Sequence, residues 1–324
     1  LRALDTGGVA SKAVAEAHNT ALGEALEYLH THAGYTRVHN PVSGRKDLVR
    51  LPGLVAAAYQ HETSRAGDPH LHTHVLVPNK QARTDGVLVA IDSDALWHEA
   101  KAAGIIYQTV LRQELNASLG VEWDRVDPHS GMAEIAGVDR AVLTAASQRS
   151  TQLSAWASKN LVVDSVGVSA AQLARAQKAT RPRKPEHRPW AELRAEWAGR
   201  FGGELVIDEA AQQRAREQRL AAAAGAVMEW VNAAVAGIDK AAFTRADLIE
   251  ALGAAMPVTI ADTDRGPRWV AETLADAVGM RITAERAPHE REGHDRFTAA
   301  PIIAEEQALY ELIAVRDQRA ALPA

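Results

Sequence analysis

The chain has 324 residues, 47% of them hydrophobic and 24% charged, which fits a globular protein able to bury a real core, in two units. Thirty-six basic and 41 acidic side chains leave a formal net charge of −5, which argues against a uniformly basic nucleic-acid surface, and the lack of cysteine excludes disulfides and thiolate metal centres. No window approaches a spanning helix of about 20 apolar residues and no signal-peptide pattern is present, so no membrane insertion is expected and the cytoplasm is the default compartment.

The first strong helical pattern runs from Ser11, a plausible cap, to His32 and stops at Gly34. Tyr35–Val38 and Asp47–Leu51 read as short strands around a turn at Pro41–Arg45. Leu54–Thr63 reads as another strand, the loop 64–70 with Gly67 and Asp68-Pro69 turns the chain back, and the run to Val77 pairs antiparallel with it. Alternation puts His72 and His74 on one strand face, and pairing brings His61 opposite them, within reach of one ion. Three neutral imidazoles leave coordination positions open, as a working metal site does. His70 falls on the same face beside Pro69 and reads as a rim residue, while Glu62 alternates away. The sequence carries its own control in His30-Thr31-His32. On a helix end, that pair points to nearly opposite sides, so His30 and His32 read as last-turn cations.

Val87–Ile91 continues the sheet, Asp94 caps a helix to Leu119 stopped by Gly120, and Val121–Arg125 offers a further strand. Trp97, Tyr107 and Trp123 read as core aromatics. The whole is an antiparallel sheet backed by helices, an α+β plan. From Gly137 the pattern is mostly helical, near 139–159 and 169–179. A proline-rich stretch, Thr180-Arg181-Pro182-Arg183-Lys184-Pro185-Glu186-His187-Arg188-Pro189, then breaks it. Between 171 and 200, eight basic residues face three acidic ones, a local excess in an acidic chain. This segment is either a solvated basic linker or a phosphate-contacting strip. A long alanine-rich helix at about 208–235 follows. Then comes a small winged-helix-like unit: Thr244 caps a helix to Ala255, a second helix covers 267–278, and a strand lies at 280–283. A last helix runs from Pro301 toward Arg319.

The run His61-Glu62-Thr63-Ser64-Arg65, Asp68-Pro69, Leu71-His72-Thr73-His74 and Asn79 resembles the metal-binding signature of the MobF-class conjugative relaxases, nickases fused to a helicase. Ala17-His18, Asp85-Gly86-Val87, Tyr107 with Arg112 and Glu114, Thr180-Arg181 with Lys184 and Trp197, and Ile303-Ala304-Glu305-Glu306 extend the likeness along most of the chain. The resemblance implies the His-x-His tyrosine-endonuclease fold, with relaxase residues at 1–205, a connecting helix at 206–238, and the small module at 239–324 leading toward a helicase. It implies metal-assisted tyrosine transesterification on single-stranded DNA of a plasmid transfer origin. The ligands would be His61, His72 and His74, and Arg65, Arg181, Arg183, Lys184 and Arg188 would contact DNA. Three nitrogen ligands suit zinc, nickel or manganese, whereas the resemblance implies magnesium or manganese. Conjugation accessory proteins are possible partners. None of Tyr28, Tyr35, Tyr59, Tyr107 and Tyr310 stands in the family's nucleophile motif, and no phosphate-binding Gly-x4-Gly-Lys loop occurs. The expectation is therefore a fragment that lacks both the N-terminal nucleophile segment and the motor, with no catalytic residue of its own and no cleavage by itself. A stand-alone three-histidine metalloenzyme and a non-catalytic single-strand-binding remnant are the alternatives. Arg65 has its own alternative, an ion pair with Asp68.

Overall fold

The computed structural model describes residues 8–161, 169–182, 188–201, 207–224, 227–258 and 265–320. In chain order these form α1 (Val9–Ala33), β1 (Tyr35–His39), β2 (Lys46–Arg50), β3 (Ala57–Thr63), β4 (Pro69–Leu76), β5 (Lys80–Ala82), β6 (Leu88–Ala90) and α2 (Ser93–Leu119). Then come α3 (Arg140–Ala145), α4 (Gln148–Asn160), α5 (Ala170–Ala179), α6 (Trp190–Phe201), α7 (Glu209–Ala224), α8 (Val227–Ala236), α9 (Arg245–Ala255), α10 (Gly266–Val278), β7 (Met280–Arg281), β8 (Phe297–Thr298) and α11 (Ala300–Ala320). The α+β class holds. Among the described residues the strands form four two-stranded antiparallel pairs, β1–β2, β3–β4, β5–β6 and β7–β8, rather than one continuous sheet. No described helix is long and apolar enough to cross a membrane.

The chain divides into two compact units that alternate along the sequence. The first takes Leu1–Val14, Ala56–Val77 and Ala136–Gln212, and so holds the β3–β4 hairpin and α3 to α6. The second takes Ala15–Val55, Pro78–Ile135 and Gln213–Ala324.

The second unit has one apolar core, in which Ala21, Ala25 and Tyr28 of α1 meet Ile106 and Val110 of α2, Val231 of α8, Leu248 and Leu252 of α9 and Ala275 of α10. Helices α9 and α10 thus share a core with the first two long helices. Small side chains let these helices approach closely. A Cβ on Gly253 of α9 would lie 2.7 Å from Ile105 Cγ2, and the Gly253 carbonyl accepts a bond from Thr109 Oγ1 at 2.7 Å.

Several local expectations are revised. α1 begins at Val9, so Ser11 lies inside the first turn and is not its cap. Asp92, not Asp94, occupies the N-cap position of α2, and its carboxylate accepts from Arg37 and Arg291 instead of from the helix. Trp97 is 82% exposed, because the buried face of α2 runs through Ala95, Glu99, Ala102 and Ile106. A reading that counts only apolar positions misses Glu99, which is buried because Tyr28 donates to it at 2.6 Å. Tyr107 is half-buried against His18, 2.6 Å away, and Trp123 is half-buried, donating to the Arg112 carbonyl. The expected strand at 121–125 is a single bridge, Trp123 to Ile135. The helix expected over 139–159 breaks at 146–147, and β5 had no sequence expectation. The 208–235 helix appears as α7 and α8, on either side of two residues outside the described set. Thr244 caps α9 as expected, in a capping box with Asp247, and Gly120 ends α2 with φ 66°.

Candidate metal centre

β3 and β4 pair antiparallel, with His61 opposite His72 and Tyr59 opposite His74, and the register shifts between His61 and Thr63. Residues directly opposite each other share a face, so all three imidazoles stand on one side of the hairpin. His61 lies 5.2 Å from His72 and 4.7 Å from His74 between ring centroids, and His72 lies 5.0 Å from His74. Each offers one nitrogen, and these nitrogens lie within 4.8 Å of one another. That is somewhat wider than the ~3.3 Å spacing of a tetrahedral set with bonds of ~2.0 Å. His72 Nδ1 is 2.9 Å from the His70 carbonyl. A carbonyl only accepts, so Nδ1 carries the proton and Nε2 keeps the lone pair a metal needs.

His70 stacks on His72 at 4.6 Å with the planes tilted 21°, and is not one of the three converging residues. Burial, then the neighbouring His72, lowers its pKa from the ordinary 6.5.

The turn that closes the hairpin is locked from inside. Ser64 N donates to the Asp68 carbonyl at 3.0 Å, and Ser64 Oγ accepts from the amides of Ala66 and Asp68 and donates to Asp68 Oδ2. Gly67 takes φ 80°, a conformation that side-chain-bearing residues rarely adopt. The same turn is held by helices of its own unit. Asp68 is 3% exposed, and its Oδ2 also accepts from the Arg149 amide of α4, while its Oδ1 lies 3.6 Å from Arg200 Nη1 of α6. Trp197, fully buried on α6, donates to the Gly67 carbonyl at 2.8 Å. The Arg149 side chain bonds the carbonyls of Gln177 and Thr180 and so ties down the start of the proline-rich stretch. Sequence reading missed Asp68, Arg149 and Arg200 as supports. An aspartate immediately after the turn glycine Gly67 was the only local signal.

The expected DNA-contacting residues lie apart in character. Arg65 is exposed at the turn, and its alternative role as the ion partner of Asp68 is taken by Arg200. Arg181 is exposed. Arg188 is paired with Glu196 at 2.5 Å and Glu192 at 3.7 Å. Arg183 and Lys184 lie outside the described residues. His18, Tyr107 and Arg112 belong to the second unit, where Arg112 is 2% exposed, donates to the Gly131 carbonyl, and has its pKa lowered to about 10 by burial. His30 and His32 stand in the last turn of α1 as expected, with His32 buried between Glu292 and Glu272, each 2.9 Å away.

Comparison with known proteins places these features. The chain is 32% identical over 258 residues to the multifunctional conjugation protein TraI of Escherichia coli, covering 74% of this chain but 14% of that protein. The chain thus spans about one seventh the length of this relative. A solved copper-bound structure of the conjugative relaxase TrwC in complex with oriT DNA superposes with a TM-score of 0.54 at 29% identity, covering 63% of this chain and 67% of the other. A TrwC complex with a 27-mer DNA comprising the recognition hairpin and the cleavage site gives a TM-score of 0.51 at 30% identity, covering 58% and 66%. The TrwC relaxase family model matches residues 3–202. With the model covering well over half of its length and these structures sharing its fold, the chain belongs to the TrwC relaxase family, within the MobF class of conjugative relaxases.

Proposed function

We propose that this chain is the part of a conjugative relaxase that holds a divalent metal ion on His61, His72 and His74 and receives single-stranded transfer-origin DNA at that face. The observation that carries the reading is the convergence of three imidazole nitrogens within 4.8 Å on one face of a hairpin whose turn is locked at both Ser64 and Asp68. A bound divalent ion supplies charge at the non-bridging oxygens of a phosphodiester, which orients the phosphorus and offsets charge that develops during transesterification. The chain's own residues set that up. The hairpin presents three neutral nitrogen donors to solvent, the His70 carbonyl fixes the tautomer of His72, and Asp68, Arg200 and Trp197 hold the turn between the ligands. A site of three nitrogen donors favours zinc, nickel or manganese over magnesium. The TrwC relative, whose structure is a copper-bound complex with oriT DNA, supports both ligand classes.

The 324 residues are expected to bind and not to cleave, since none of the five tyrosines stands in the family's nucleophile motif. The test is metal titration by calorimetry together with fluorescence anisotropy on a labelled single-stranded oligonucleotide bearing a transfer-origin sequence. One metal equivalent and salt-sensitive DNA binding, with no covalent adduct, is the expected result. Failure to bind either partner, or turnover of a small substrate in the absence of DNA, overturns the reading.

A further inference from the structure

The face that carries the three histidines does not end with them. On β3 the residues alternating with His61 are Tyr59 and Ala57, and on β4 those alternating with His74 include Leu76. Tyr59 stands directly opposite His74 and Ala57 opposite Leu76, so Tyr59, Leu76 and the imidazoles share one surface. Tyr59 is 55% exposed and Leu76 is 59% exposed. They lie diagonal to each other across the strands, within reach of a long side chain. A polar, metal-competent end of the hairpin thus runs directly into an open aromatic and aliphatic strip one strand period away, about 7 Å along the chain.

We infer that Tyr59, backed by Leu76, is the stacking platform for the nucleobase next to the phosphate held at the histidines. The inference rests on the proposed single-stranded-DNA reading and adds to it a base-binding subsite. A nucleotide has this same bipartite chemistry, an anionic phosphate joined to a flat apolar base. Every base offers a π-face, so stacking on an exposed ring tolerates any sequence. The juxtaposition selects the occupant: a lipid or apolar peptide would use the strip without the cation site, and a free phosphate would use the cation site without the strip. The phenol hydroxyl is not required for stacking, which makes the ring itself the recognition element.

The experiment uses the full 324-residue chain loaded with zinc and a fluorescein-labelled oligodeoxythymidylate. Tyr59→Val keeps a β-branched strand former and removes the ring, while Tyr59→Phe keeps the ring and removes the hydroxyl. Zinc affinity by calorimetry, expected to be unchanged in both variants, shows that the hairpin is intact. Tyr59→Val weakens oligonucleotide binding by roughly 5- to 150-fold and Tyr59→Phe leaves it within about twofold. Equal affinity for the wild type and Tyr59→Val overturns the platform, and so does an equal loss in both variants, which assigns the contact to the hydroxyl. Should zinc binding fall in Tyr59→Val, photocrosslinking of wild-type protein to an oligonucleotide carrying 5-iodouracil decides. An adduct mapped to Tyr59 supports the platform, and adducts only elsewhere overturn it. If the wild-type chain binds zinc but no oligonucleotide, the DNA reading itself fails, an outcome separate from failure of the platform.

Discussion

At the scale of single residues, the histidines divide by what surrounds them. His61, His72 and His74 share a face and differ from His70 only in where their rings converge, so substitution should separate them cleanly. His61→Ala, His72→Ala or His74→Ala should each weaken zinc binding by more than about 100-fold, since loss of a ligand exceeds the 10- to 100-fold typical of an outer-sphere partner. His70→Ala should stay within about tenfold, because its contribution to His72 is a ring contact and a backbone carbonyl that alanine retains. Calorimetric titration of the four variants reads this directly. His32 behaves as a different kind of group. Burial opposes its charge, but the hydrogen bonds it donates to the Glu272 and Glu292 carboxylates outweigh burial and raise its pKa above 6.5. Glu292 is pushed the other way: burial alone would raise it, and the bond to His32 holds it below 4.5. The other charges around this group include Arg245, 3.3 Å from His32 Nε2 and itself bonded to Asp276, Arg268, which binds Glu272 and Glu24, Arg286 near Glu292, and Glu99, which interacts with both His32 and Glu292. Stability from His32 is fully present below about pH 6.5 and drains away as pH rises through its raised native value. Stability from Glu292 is present above about pH 4.5 and fades as pH falls. The melting temperature should therefore decline by a few degrees from pH 6.5 toward pH 8.5. His32→Gln should lower the melting temperature at pH 6 and flatten that decline, as thermal scans across the range would show.

At the scale of elements, the sequence was most legible where a period and a boundary signal agreed. The β3–β4 hairpin could be read because alternating histidines sat beside a Gly67 and Asp68-Pro69 turn, and α9 because Thr244 and Asp247 form its capping box. The burial of α2 was not legible, because Glu99, Thr109, Arg112 and Gln113 occupy core positions that an apolar count assigns to water. Asp68 illustrates the same limit. Its partners Arg149 and Arg200 lie 81 and 132 residues away along the chain, so no local pattern shows that they brace the histidine hairpin. Glycine gives a further case. Gly253 in α9 looks like a weakness, since alanine is the better helix former by about 1 kcal/mol. The packing reverses that sign, because the added Cβ would meet the branched Cγ2 of Ile105 at 2.7 Å, an atom that cannot swing aside. Overpacking of this kind costs about 1–3 kcal/mol. Gly253→Ala should therefore lower stability by about 1 kcal/mol in chemical denaturation. An increase would mean that α2 and α9 pack less closely than they do here.

At the scale of the whole molecule, the proposed function asks how a chain with a net charge of −5 would engage a polyanion. The cations that could help are not equivalent. Arg188 is already committed to Glu192 and Glu196, whereas Arg181 is exposed at the mouth of the proline-rich stretch, whose base Arg149 fixes through the Thr180 carbonyl. A side chain that neutralises a phosphate releases counterions, and each such contact on a single strand adds about −0.7 to the slope of log affinity against log salt. Arg188 gains less on meeting DNA, because it exchanges one anion for another and leaves two carboxylates behind. Arg181→Ala should therefore flatten the salt dependence of single-strand binding by about 0.7, and Arg188→Ala by clearly less. A metal ion on three neutral imidazoles adds two positive charges to the hairpin face, so removing it with a chelator should weaken binding most at low salt, where screening is least. Anisotropy titrations from about 50 to 200 mM salt, with and without zinc, measure all three slopes. If the wild-type slope is near zero, charge does not carry the DNA contact, and the basic stretch is a solvated linker. If Arg188→Ala flattens the slope as much as Arg181→Ala does, the pairs with Glu192 and Glu196 open when DNA binds, and the two arginines contribute alike.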